Sequence, residues 1–179
     1  MATEAFIKHH VIPDVLESNT PLKTLSIKFN SGVEVNLGNK LTPTQVKDQP
    51  EIKWEAEQGA LYTLIMTDPD STVSEFEHWV VVNIPGNDIS KGDHIAAFIS
   101  SGPPKGVDIH RYVFLIYKQS NGRIEDVEHG TLPNNTKKGR SGFKTPKFVE
   151  KHGLGQALYG NLYLCEYDEY VDVLLKTFV

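Results

Sequence analysis

The sequence predicts a mainly β protein with a few short helices, folded as one domain over residues 1–179. Three observations carry this. Near-continuous apolar, β-branched and aromatic runs occupy Leu61 to Thr67 (LYTLIMT), His78 to Ile84 (HWVVVNI) and Arg111 to Lys118 (RYVFLIYK), the pattern of central strands covered on both faces. Pro and Gly are scattered as turn punctuation, without a repeat or a low-complexity linker. A length of 179 residues, with 39% hydrophobic and 23% charged, suits one core that needs neither disulfide nor metal staples.

The elements follow in order. A short helix is expected around Pro13 to Glu17. Leu25, Ile27 and Phe29 alternate, as do Val33, Val35 and Leu37. Asn30-Ser31-Gly32 between them tolerates positive φ, which predicts a hairpin. The three apolar runs form the central strands, and Asn161 to Tyr167 (NLYLCEY) a fourth. Thr145-Pro146 reads as a helix N-cap with Pro in the first turn, Phe148 and Val149 facing the body and Gly153 as the stop. Tyr170, Val171, Leu174, Leu175 and Phe178 recur at helical spacing behind Asp168 and Glu169.

The charge balance, 18 Lys and Arg against 23 Asp and Glu, is −5, which argues against general nucleic-acid binding. One cysteine, Cys165, excludes an intramolecular disulfide and fits a reducing compartment. Its alternation with Leu162 and Leu164 predicts a buried, inert thiol. No apolar run nears the ~18 residues that span a bilayer. The N-terminal stretch carries Glu4 and no long apolar segment, so no secretory signal is expected, and the sequon at Asn134 is expected to be unused. These features predict a cytoplasmic protein, and a monomer is expected. His94, His129 and His152 read as surface residues, His9 and His10 as solvated. Trp54 and Trp79 read as core or pocket wall, and Lys137-Lys138-Gly139-Arg140 as a solvated basic loop.

Polar residues gather at the ends of the central strands. Asp68-Pro69-Asp70 closes the first, and Pro69 obliges the chain to leave the ladder there. His78 opens the second. His110 and Tyr112 open the third and point to one side of it. Ser101-Gly102-Pro103-Pro104-Lys105-Gly106 is a stiff loop whose glycines admit close backbone approach. If these converge, two imidazoles, a phenol and backbone amides make a small anion site. The same residues also fit satisfied strand-end histidines beside a plain turn. Asp68, His78 and His110 could instead form a carboxylate-plus-two-His metal set, though without HxH or HExxH spacing. Ser100 and Ser101 lack the G-x-S-x-G elbow of a hydrolase.

The same stretches carry a signature. Tyr62 to Asp70 (YTLIMTDPD), Glu77 to Ile84 (EHWVVVNI), Gly102 to Gly106 (GPPKG) and His110 to Val113 (HRYV) resemble, in order, the central motifs of the phosphatidylethanolamine-binding proteins. Leu41 to Val46 and Gly86 to Ile89 are similar as well, so the likeness runs from about Leu25 to the C-terminus. The resemblance includes Raf kinase inhibitor protein-like members. It implies a large central antiparallel sheet, a smaller second sheet and short flanking helices. It further implies a pocket for phosphate or phosphorylethanolamine formed by Asp68, His78, Gly102, Pro104, His110 and Tyr112, with Phe143 at the rim. No cofactor, metal or catalytic turnover is implied. The partners implied are a phosphate-containing small molecule or phospholipid headgroup, with a protein kinase or serine protease as alternatives for a signalling regulator acting through the rim.

The sequence departs from the pattern at the rim. Ser71 and Thr72 replace a pocket-lining Ala-Pro pair, the loop to His78 is short, and Phe76-Glu77 stands for Trp-His. Leu175 occupies the position of a covering Tyr. Glu77 is expected to make the mouth more acidic.

Overall fold

The computed structural model describes residues 1–17 and 21–179. Helices α1 (Ala2–Lys8) and α2 (Val11–Asp14) precede four short strands, β1 (Lys23–Thr24), β2 (Ser26–Lys28), β3 (Asn39–Lys40) and β4 (Glu51–Lys53). The long strands β5 (Leu61–Asp68) and β6 (Phe76–Pro85) follow, then β7 (Asp93–Ala96) and β8 (His110–Lys118). Helix α3 (Thr145–Lys151), strand β9 (Tyr159–Cys165) and helix α4 (Tyr170–Leu175) complete the chain. The large sheet runs β1-β9-β8-β5-β6-β7, with β3 also along β9, while β2 and β4 pair in a small one. The pairs among β5 to β9 are antiparallel, but β1 and β3 lie parallel to β9. The large sheet is therefore mixed, where the resemblance implied an antiparallel one.

Both faces of the long strands are buried, as their unbroken apolar composition requires. Leu64, Met66, Val81, Phe114 and Ile116 pack on one side with Ile27, Ile52 and Trp54 of the small-sheet region. Ile65, Val80, Val82, Leu115 and Leu162 pack on the other with Phe6 of α1 and Phe148 of α3.

The turn after Phe29 forms, with Gly32 at φ +99° and its N–H donating to Phe29 O. Its second arm adds only a bridge at Glu34, because β2 takes β4 as its ladder partner. Val33, Val35 and Leu37 do not share a face. Leu37 adopts φ +54° and packs on the opposite core from Val35. The helical turn expected over Pro13 to Glu17 lies earlier, as α2, and α1 was not foreseen. In α3 the N-cap is Lys144, and the Thr145 hydroxyl donates instead to buried Glu75 (2.6 Å). Gly38 (φ +102°) seats the N-terminal segment, since a Cβ there would lie 2.2 Å from His9 Nε2.

Several polar residues differ from their sequence reading. Arg140 is fully buried, not solvated. Its Nη1 donates to the carbonyls of Glu77 (2.9 Å) and His78 (3.2 Å), and its Nη2 to those of Ala97 (2.7 Å), Leu132 (3.3 Å) and Pro133 (2.8 Å). His129 and His152 are half-buried, bonded to Glu77 and Asp126 and flanking Phe148. His94 accepts from Trp79 Nε1 (3.1 Å).

Candidate functional site

A cavity of about 600 Å³ opens where the ends of β5, β6 and β8 meet α4. Asp68, His78, Gly102, Pro104, His110 and Tyr112 all line it. Phe143 does not. It packs against Phe148 (5.6 Å between centroids), while its backbone exchanges hydrogen bonds with Glu75.

His78 reaches the cavity through a break in the ladder. Met66 pairs with Trp79 and Thr67 with Glu77, so His78 is one residue more than β5 matches. A bulge of this kind re-aims a side chain. It turns His78 toward Tyr112 (5.2 Å, edge-on) and Phe76 (4.7 Å). Glu77 points to the opposite core, where it bonds His129, so it does not acidify the mouth as the sequence suggested. The buried carbonyl of the bulged His78, which β5 leaves unpaired, accepts from Ile99 N (2.9 Å) and Arg140.

His110 Nδ1 stands 2.8 Å from Asp68 Oδ2, and both groups are buried. Burial opposes the imidazolium most. The hydrogen bond to Asp68, its charge and the field of Asp70 outweigh that and raise the His110 pKa above its ordinary value. His78 goes the other way. Its Nδ1 donates to Ile99 O (2.7 Å), and burial pulls its pKa down to about 4 despite the charge of Asp68. The sequence reading treated the two histidines as equivalent donors, but their surroundings push them apart, favouring the charged form at His110 and the neutral form at His78.

Asp70 is neutralised by Arg111, whose Nε and Nη2 reach both its oxygens at 2.9 and 2.8 Å. The Arg111 Nη1 continues to His9 O and Asp14, tying α1 and α2 to the cavity wall. Tyr112 stacks on Tyr163 (5.2 Å, 16°), and burial pushes its phenol pKa well up. At Gly102 a Cβ would lie 2.9 Å from the Leu174 Cδ2 methyl, which a side chain there would push aside. Val107, Ile109, Leu174, Leu175 and Phe178 give the outer cavity an apolar wall, and Lys137 joins them.

Other chemistries are not assembled. Among the described residues no group of three or more His, Cys, Asp or Glu side chains could hold a metal ion, so Asp68, His78 and His110 do not form that set. Ser101 is bonded to Tyr163. Cys165 is buried, and desolvation pushes its thiol pKa up, away from the nucleophilic thiolate.

The model of the family described as phosphatidylethanolamine-binding protein matches residues 26–163. The chain belongs to this family. Putative odorant-binding protein A5 of Drosophila melanogaster is 37% identical over 173 residues, covering 93% of this chain and 81% of that protein. A 26 kDa secreted antigen of Toxocara canis is 38% identical over 164 residues, which span 88% of this chain and 62% of the antigen. The CG7054 solution structure aligns with a TM-score of 0.72 at 40% identity, covering 94% of this chain and 98% of that one. The chain has the phosphatidylethanolamine-binding protein fold. The secreted relative means that the cytoplasmic location expected from the sequence does not extend across the family. No helix among the described residues is long and apolar enough to cross a membrane.

Proposed function

We propose that the chain is a binding protein that takes a small phosphate-bearing molecule, free or as a lipid headgroup, into the cavity beside His110. The buried Asp68–His110 pair carries this reading. An imidazolium held by a carboxylate in a poorly solvated basin offers a charge-assisted donor to one oxyanion. The Tyr112 phenol and the Ser100 to Gly102 backbone stand beside it. Arg111 engages Asp70, which removes the nearest competing free carboxylate. Binding without turnover is favoured because Ser101 and Cys165 are not activated as nucleophiles. Affinity is modest, as few ligand atoms make contact.

Calorimetric titration with phosphorylethanolamine and with inorganic phosphate tests the reading. Wild type is expected to bind both, and His110→Ala to weaken each by about tenfold or more, the scale of a lost charged hydrogen bond. Failure of both ligands to bind wild type would overturn it.

A further inference from the structure

This inference rests on the phosphate-binding reading and narrows its ligand. We propose that the cavity selects phosphate monoesters in their singly protonated form over phosphate diesters, because His78 offers the ligand an acceptor where His110 offers a donor.

The argument begins at Ile99. Its carbonyl oxygen can only accept, so the His78 nitrogen 2.7 Å away, Nδ1, must carry a proton. A neutral imidazole protonated at Nδ1 has a bare lone pair on Nε2. That atom has no hydrogen-bond partner among the described residues, on a ring that lines the cavity. The ring stays neutral near pH 7, since burial and the charges of Arg140 and His110 outweigh the pull of Asp68. His110 is the reverse case: its Nδ1 is committed to Asp68, which favours the charged ring, and below the ordinary histidine pKa that charged ring donates through Nε2–H. The remaining charged groups of the cavity are Asp70, occupied by Arg111, and Asp108 and Lys137.

A ligand seated between the two rings must therefore present an acceptor to His110 and a hydrogen to His78. The monoanion of a phosphate monoester has both, as P–O⁻ and P–OH. A diester has only oxygen lone pairs, and these face the lone pair of Nε2. Covering that acceptor with a ligand that cannot pair with it costs about tenfold or more in affinity. The cavity volume of about 600 Å³ leaves room for either molecule, so the discrimination is one of hydrogen bonding rather than size.

Methyl phosphate and dimethyl phosphate isolate the effect, because neither carries an ammonium group that could donate to His78. At about pH 5.5 methyl phosphate is mostly the monoanion, its second pKa lying near ~6, so both probes bear one charge. Calorimetry on wild type is expected to give dimethyl phosphate a dissociation constant at least about tenfold higher. Equal affinities, or tighter diester binding, overturn the inference while leaving phosphate binding intact. Binding of neither probe overturns the phosphate reading itself. His78→Phe is expected to bring methyl phosphate close to the diester. Independently of whether that variant folds, ¹⁵N NMR of wild type at neutral pH is expected to find His78 protonated at Nδ1 and bare at Nε2. A proton on Nε2 would sink the proposal.

Discussion

Asp68 Oδ2 and His110 Nδ1 lie 2.8 Å apart at the ends of adjacent strands, and both residues are largely buried. Asp68 Oδ1 accepts from Asp70 N (2.8 Å), so the carboxylate is fixed at both oxygens. Asp68→Asn should therefore disorganise charge more than shape. The His110 pKa is expected to fall below its wild-type value, read by NMR titration. Phosphate affinity near neutral pH should drop about tenfold, the equivalent of one pKa unit. Because the folded pKa is raised, the pair's stabilisation is full below the ordinary histidine value and is lost as pH rises through the raised one. A variant retaining the wild-type His110 titration would refute this account.

His78 has the opposite sign. Its folded pKa is lowered to about 4, so its contribution is present above the ordinary histidine value and is lost as pH falls toward 4. Urea unfolding of wild type and His78→Phe should show a stability difference that shifts by about 3 kcal/mol in favour of wild type between acidic and neutral pH. A difference independent of pH would contradict the neutral, buried imidazole.

Glu77→Gln separates the two faces of β6. Glu77 is bonded to His129, whose pKa the hydrogen bond raises. That pair stabilises fully below the ordinary histidine value and fades as pH rises through the raised one. The variant should be less stable at mildly acidic pH yet bind phosphate as wild type does. A marked change in affinity would return Glu77 to the mouth.

Arg140→Met should be among the most damaging single substitutions. It strips donors from five carbonyls and cannot replace them with water in a buried site. A loss of roughly 3 kcal/mol or more is expected, measured as a lowered denaturation midpoint. Retained stability would mean that the carbonyls find other partners.

The long strands were legible because burial on both faces leaves an unbroken apolar run that no helix or loop imitates. The site residues at their ends were legible as polar punctuation, helped by the family signature. Arg140 was not, because a KKGR run looks solvated until distant carbonyls enclose it. Glu77 and His78 could not be assigned to faces, since simple alternation carries no mark of an extra residue in one strand. Helix α1 is a seven-residue element without a side-chain cap, held by Phe6 in the core rather than by propensity. Phe143 matched by its place in a motif, yet its half-buried ring packs against Phe148 at the edge of the core.

The surplus position in β6 has a structural corollary. Trp79 and Glu77 already satisfy every pairing that β5 asks of this stretch. The residue between them is supernumerary to that ladder alone, because its carbonyl and its ring still tie β6 to Ile99 and Arg140. Changing the imidazole alone leaves the β5–β6 register untouched, whereas deleting the residue would also remove the carbonyl that Ile99 and Arg140 share.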